Sequence, residues 1–384
     1  MNEPIYFDEQ HRQFRDNLRR FVEQEVVPYA APWEEEGMVP RAVLRKMGEL
    51  GYLGIRYDEK YGGSKLDTVY SAILAEELGR STFGGFAVTV TVHTDMASPH
   101  LANFGTPEQL ARYLPAITRG EKICAVAVTE PDAGSDVAGI RTRAVRDGDH
   151  YVVTGSKVFN TNGPVAGIFV ITARTSDAPG SRGVSAFVLE RDAPGFTVGT
   201  PDKKHGVHGS PTATLHFDGV RVPAENLIGR EGEGFRQFAQ TLDRGRINVA
   251  ALALGIGQAA LDAAVAYARQ REQFGRPIAA YQGVQFPLAE AATELEAARL
   301  LILNAARMAD AEMPIKKEAA MAKFFAAEAA LRACGSAVEI FGGYGYMREF
   351  PVERYLRDAK MCQIGEGTSQ IQRLIIAREL LGRF

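Results

Sequence analysis

Apolar residues recur at helical spacing over the first third of the chain, then give way to shorter alternating runs near residue 122. Phe14, Leu18, Phe21, Val22 and Val26 lie three or four apart with Arg and Glu between them, so residues 8 to about 120 read as helical. Asp67 fits as the N-cap of a helix over 69–78, ended by Gly79. Thr106-Pro107-Glu108-Gln109 is a strong helix start, a T-x-x-Q box with Pro at the first helical position. From Lys122 the texture is that of strands: 123–128 is an apolar run, 141–145 alternates, Asp147-Gly148 turns, and 151–153 resumes. Further strand candidates are 168–172, 184–189, 212–217 and 220–222, with Gly, Pro and Asp between, which suggests a compact β domain to about residue 232. Helical spacing returns from Gly234, in tracts at 242–271, 282–308, 315–340 and 368–381. The stretch 250–268 is small and apolar on nearly all sides, so it is buried all round, in a bundle core or at a subunit interface.

The order is therefore α, then β, then α, with domains expected at 1–121, 122–232 and 233–384. Gly342-Gly343-Tyr344-Gly345 follows a helix rather than a strand, so a dinucleotide fingerprint fails on context. Composition is that of an ordinary soluble protein, 46% hydrophobic and 24% charged. A net charge of −3 with no long basic run gives no case for nucleic acid as a partner. The first residues lack a signal-type apolar core, and no uncharged apolar run matches a membrane span, so no membrane partner and a cytoplasmic location are expected. Cys124, Cys334 and Cys362 are widely spaced and form no metal pattern, so buried reduced thiols and no metal site are expected.

Four stretches carry candidate chemistry. Val128 to Asp136 puts hydroxyls and backbone N–H groups in a tight loop, which suits a polar heterocycle or a phosphate as well as it suits a plain turn. Phe159-Asn160-Thr161-Asn162-Gly163 sets an aromatic face beside a hydroxyl. Arg271-Glu272-Gln273-Phe274-Gly275-Arg276-Pro277 ends a long helix and also reads as a cationic cap with a Gly-Pro stop. Gly365-Glu366-Gly367 precedes the last helix, where Ser369 and Gln372 have capping-box spacing. Glu366 reads either as an acid complementing a helix dipole or as a group brought close to a ligand by its flanking glycines.

Together with RINVAALALGIGQ and FGGYGYMREFPVERYLRDAK, the motifs VTEPDAGSD, KVFNTNG, RQREQFGRPI and GEGTSQIQR resemble the acyl-CoA dehydrogenase family of flavoproteins over about residues 8–382. The resemblance implies an α+β, mainly α fold: a helical N-terminal domain, a barrel- or sandwich-like middle β domain and a C-terminal four-helix bundle. It implies bound FAD, an acyl-CoA substrate, an electron-transfer flavoprotein as acceptor and a homotetramer. By the same resemblance Val128, Thr129, Gly134, Ser135, Phe159 and Thr161 would contact the flavin side of the cofactor. Arg271, Gln273 and Phe274 would reach the FAD of a neighbouring subunit, with Gln282 added to the cofactor set. Glu339, Gly342, Gly343, Thr368 and Gln370 would complete it. Ser135, Asp243, Arg246, Gly365 and Gly367 would meet the substrate, and Glu366 would be the catalytic base.

Some members place the base on the helix near residue 245, but Gly245 stands there and cannot serve. Gly365 replaces the bulky residue of many straight-chain members, so a roomy pocket and a short or medium, branched or bulky acyl group are expected. Asn160 stands where an aliphatic residue is usual, and Asp95 is expected to be an exposed helix acid. The alternatives are a dehydrogenase of acyl groups held on a carrier protein, an acyl-CoA oxidase, and a flavin-binding scaffold without turnover.

Overall fold

The computed structural model describes residues 6–382, so residues 1–5 and 383–384, the tips of the first and last expected domains, lie outside the described residues. The N-terminal part holds α1 (Glu9–Glu25), α2 (Ala30–Glu36), α3 (Arg41–Glu49), α4 (Thr68–Gly79), α5 (Gly84–Thr91), α6 (Ser98–Phe104) and α7 (Pro107–Thr118). Asp67 caps α4 by accepting the Tyr70 N–H at 3.2 Å. Thr106 and Gln109 cap α7 reciprocally, at 3.3 and 3.0 Å. Between α5 and α6 the helix widens into a π-helical stretch, Val92–Ala97. Its His93 Nδ1 accepts the Cys124 N–H at 2.9 Å, and Tyr57 shares a 2.6 Å hydrogen bond with Ser98, so the stretch is tied on both sides. Such π turns recur at functional sites.

The middle part holds β1 (Cys124–Ala127), β2 (Arg143–Asp147), β3 (His150–Thr161), β4 (Ile168–Arg174), β5 (Val184–Glu190), β6 (Phe196–Val198), β7 (Thr212–Pro223) and β8 (Leu227–Ile228). They form one mixed sheet in the order β6-β7-β3-β2-β4-β5-β8, with β1 parallel to β4. The runs expected as separate strands at 212–217 and 220–222 are one strand, because β3 pairs along both and a register shift between Val153 and Gly155 absorbs the mismatch. Phe169 and Ile171 face one apolar cluster with Phe187 and Phe217, while Ile168 and Val170 face another with Leu114 and Ile117 of α7. Burial of β4 and β5 on both faces explains their continuous apolar runs. Strands β6 and β8 are too short to leave a pattern.

The C-terminal part holds α8 (Gly234–Gln270), a hairpin of β9 (Glu272–Gln273) and β10 (Arg276–Pro277), α9 (Gln282–Asp310), α10 (Lys316–Phe341), α11 (Val352–Cys362) and α12 (Ser369–Leu381). Helix α8 starts at Gly234, ahead of the expected residue 242, because Gln237, Phe238 and Thr241 are buried although partly polar. Helix α11 was not expected from the pattern; its buried Val352, Tyr355, Ala359 and Cys362 are diluted by charge. The cap of α12 is Thr368, which accepts the Ile371 N–H at 3.2 Å, and not Ser369 as the spacing suggested. Ser369 instead donates to Glu328 at 2.8 Å.

Helix α8 crosses α4 at backbone contact. A Cβ on Gly255 would sit 2.0 Å from the Glu76 carbonyl oxygen, and one on Gly79 would sit 2.4 Å from that of Leu252. By length and apolarity α8 could cross a membrane, but 78% of its apolar window is buried inside the protein, which marks a core helix. The three cysteines are free and buried.

Candidate active site

Glu366 lies in the loop between α11 and α12 at φ +54°, followed by Gly367 at +91°. Left-handed backbone is costly for a residue with a Cβ, so the loop must be held. Lys323 of α10 donates to the Gly367 carbonyl at 2.7 Å, and Gln372 of α12 donates to the carbonyls of Gly367 and Glu366 at 2.8 and 3.2 Å. The carboxyl group then enters the space that Gly245 leaves on α8: a Cβ there would meet Oε2 at 2.7 Å. Oε2 is shut off from solvent and has no hydrogen-bond partner. Burial pushes the Glu366 pKa up to about 8; Arg246 pulls it back, Asp95 pushes it further, and Lys323 pulls it back. Burial likewise pulls Lys323 down to about 8.

Arg246 is buried next to this acid and donates to Asp243 at 2.6 Å, while its Nε has no partner. Burial raises the Asp243 pKa against the pull of Arg246. Gly365 does not face open space: a Cβ there would meet the Met361 sulfur at 3.1 Å. A flexible thioether borders the room expected beside it.

Asp95, expected to be exposed, is 3% exposed. It sits on the π-helical stretch, where the widened turn aims it inward. It accepts hydrogen bonds from Thr94 at 2.9 Å and Asn248 at 2.6 Å, and Arg56 stands 3.7 Å away. Burial raises its pKa to about 6 against Arg56 and its hydrogen bonds. Paired acids can be buried, and the sequence does not show the pairing.

Most of the other sequence-selected residues fall into two groups at the surface; Val128 is itself buried, and Thr129, Thr161 and Thr368 are half-buried. In the first, β3 bulges between Lys157 and Asn160, and this bulge carries Phe159 at φ +58° and 73% exposed. The Val158 N–H on β3 donates to the Thr129 carbonyl at 2.9 Å, which brings Val128 and Thr129 to the strand that ends at Thr161. Gly134 and Ser135 are exposed on the same loop. Lys157, which the sequence did not single out, is fully buried and locks the two segments, donating to the Val128 carbonyl at 3.0 Å and Glu130 at 2.7 Å. Asn160 turns inward and donates to the Ala213 carbonyl, joining β3 to β7.

The second group lies along a groove of about 410 Å³ lined by Tyr267, Arg271, Gln273, Phe341, Gly342 and Gly343. Phe274 projects from the hairpin at φ +53° and 94% exposed. Glu339 and Gln282 are exposed outside this lining. Thr368 is engaged as the α12 cap and Gln370 is exposed. An added Cβ at Gly134, Gly342 or Gly343 would meet nothing within 4 Å. Bare backbone, hydroxyls, a guanidinium and a projecting aromatic ring are the donor set that a flavin ring and a diphosphate require, so these residues fit FAD.

A buried carboxyl group with its pKa raised, together with open surfaces whose donors fit FAD, is the combination expected of a flavoprotein oxidoreductase. Residues 8–121, 125–220 and 232–381 match the N-terminal, middle and C-terminal domains of acyl-CoA dehydrogenase. A probable acyl-CoA dehydrogenase of Bacillus subtilis is 46% identical over 96% of this chain and 97% of its own. The short-chain-specific acyl-CoA dehydrogenase of Clostridium acetobutylicum is 43% identical over 95% of this chain and 96% of its own. Butyryl-CoA dehydrogenase from Megasphaera elsdenii has a TM-score of 0.95 at 39% identity, covering 99% of this chain and 100% of that one. The chain belongs to the acyl-CoA dehydrogenase family, whose members are FAD flavoproteins.

Proposed function

We propose that the protein removes the α and β hydrogens of a short- or medium-chain acyl-CoA to give the trans-2-enoyl thioester, with Glu366 taking the α-proton. The supporting observation is the Glu366 carboxylate in the Gly245 slot, with one oxygen sealed and unpartnered. A proton α to a thioester is weakly acidic, and a base with its pKa raised toward the working pH is matched to it. Bound FAD would accept the β-hydrogen as hydride. The loop held by Lys323 and Gln372 keeps the base in place, and a backbone N–H of that loop would meet the negative charge building on the thioester oxygen. Asp243, with its side chain 25% exposed, and Arg246 beside it suit the CoA portion. Electrons would leave to an electron-transfer flavoprotein. The projecting Phe274 and the Arg271 groove favour an oligomer in which the hairpin meets the cofactor of a second copy.

The test is anaerobic flavin bleaching with butyryl-, isobutyryl-, isovaleryl- and octanoyl-CoA, with the enoyl product identified. Bleaching by the short or branched thioesters supports the reading. Strict preference for long straight chains overturns the substrate size, and peroxide formation in air at the rate of turnover would make it an oxidase.

A further inference from the structure

The polar cluster around Asp95 lies one turn of α8 beyond the base. Gly245, which receives Glu366, and Asn248, which binds Asp95, are three residues apart on that helix, about 4.5 Å along its axis. Along α8 the side chains close off from solvent, from 25% exposed at Asp243 and 8% at Arg246 to 1% for residue Asn248. Asp243 thus marks the more exposed end of this stretch and Asn248 its buried floor.

Two atoms on that floor lack partners. Arg56 Nη1 is buried without a hydrogen bond; its carboxylate neighbour, at 3.7 Å, is beyond hydrogen-bond reach. Asn248 Oδ1 is also buried and unpartnered. One is a donor and the other an acceptor. Asp95 has both oxygens engaged and stands beside Arg56, with the Arg244 guanidinium near enough to repel that of Arg56, so the floor is polar. A hydrocarbon tail would leave both orphans unmade. A hydroxyl group can accept from Arg56 and donate to Asn248.

We propose that Asp95, Arg56 and Asn248 form a specificity-determining floor that selects acyl thioesters carrying a hydroxyl group a few carbons beyond the reacting pair. This rests on Glu366 as the base at the reacting carbons. Asp95 positions the other two: it receives the Asn248 amide, which turns Oδ1 away, and holds Arg56 near. A site built to hydrogen-bond a hydroxyl discriminates strongly against the analogue lacking it.

The experiment compares, on the FAD-loaded enzyme, straight-chain acyl-CoA thioesters from butyryl to hexanoyl with their terminally hydroxylated counterparts, and glutaryl-CoA as the carboxylate probe. At one chain length the hydroxylated thioester is expected to have a kcat/KM at least about tenfold above its plain partner, carried in KM and in the rate of flavin bleaching. In Asp95→Asn and Asn248→Leu that ratio is expected to fall toward one. Equal or better use of the plain thioesters by the wild type means that the cluster is a structural brace only, and overturns the proposal without touching the assignment of the base. Preference for glutaryl-CoA overturns it in favour of a carboxylate site. Absence of bleaching by every thioester overturns both readings. The wild-type ratio decides the matter even if a variant fails to fold.

Discussion

Phe159 and Glu366 both sit at left-handed backbone positions, yet the first is 73% exposed and the second has a carboxylate oxygen sealed from solvent. Such a conformation costs on the order of 1–3 kcal/mol for a residue with a side chain. At Glu366 the chain offsets it with hydrogen bonds from Lys323 and Gln372 to the loop carbonyls. At Phe159 the bulge is pinned from below by Lys157, but the ring itself meets solvent. One side is held by the chain's own bonds and tuned by burial; the other leaves its ring open, as the proposed flavin side would require. That contrast orders the consequences of breaking each part.

The largest effect is expected at the sealed side. Glu366→Gln keeps the shape and removes the base, so flavin bleaching by substrate should slow by about 10³-fold. Bleaching at the wild-type rate in a stopped-flow trace would remove Glu366 from its role. The pH profile sharpens the point. A carboxyl with its pKa raised to about 8 keeps its proton below that pH, and a protonated acid cannot act as base. Thus kcat/KM should rise with pH through about 8 and be lost as pH falls. Lys323, lowered to about 8 by burial, loses over the same range the charge that pulls the Glu366 pKa down, which broadens the change.

Next comes the strut beneath the open side. Lys157→Met would leave Glu130, 6% exposed, without its ion pair. Removing one partner of a buried pair costs about 3–5 kcal/mol. Urea unfolding should register that loss, and FAD content should fall because both flavin-side segments hang on Lys157. An unchanged midpoint would mean that the pair holds neither loop.

Gly245→Ala tests the slot itself. The new Cβ would meet the far end of a flexible side chain, so stability should hold, while Glu366 is pushed off its position. Displacing a catalytic group by about 1 Å can cost 10²-fold. A fall in kcat of about 10- to 100-fold with FAD content and Tm unchanged is expected; full activity would show that the base works from elsewhere.

The contrast also explains what was legible in the sequence. The helix starts at Asp67 and Thr106, the paired-face strands and the Gly-flanked acid are local patterns, and they fold as read. Asp95 was misread because its burial depends on Asn248 and Arg56, which lie 153 residues after it and on a loop before α4. Lys323 stands between Ala322 and Phe324 on the buried side of an Ala-rich helix, but its target carbonyl at Gly367 is 44 residues away. At Gly365 the limit on the expected room is local: the sulfur of Met361, one turn back, lies 3.1 Å from where a Cβ would stand. Pattern reveals elements and exposed motifs; long-range pairing sets the electrostatics of the sealed side.

The smallest effect should come from the exposed ring. Phe159→Gly relieves a left-handed residue but lets the unfolded chain gain freedom, two changes of about 0.5–2 kcal/mol with opposite sign. Without FAD the Tm should therefore move little. With FAD the ring's contact is gone, so the stabilisation gained on adding cofactor should shrink and the FAD dissociation constant should rise severalfold. Thermal scans with and without FAD measure both in one experiment. An unchanged cofactor-induced shift would mean that the ring faces solvent in the loaded protein too, and the left-handed bulge would then have to be explained by the fold alone.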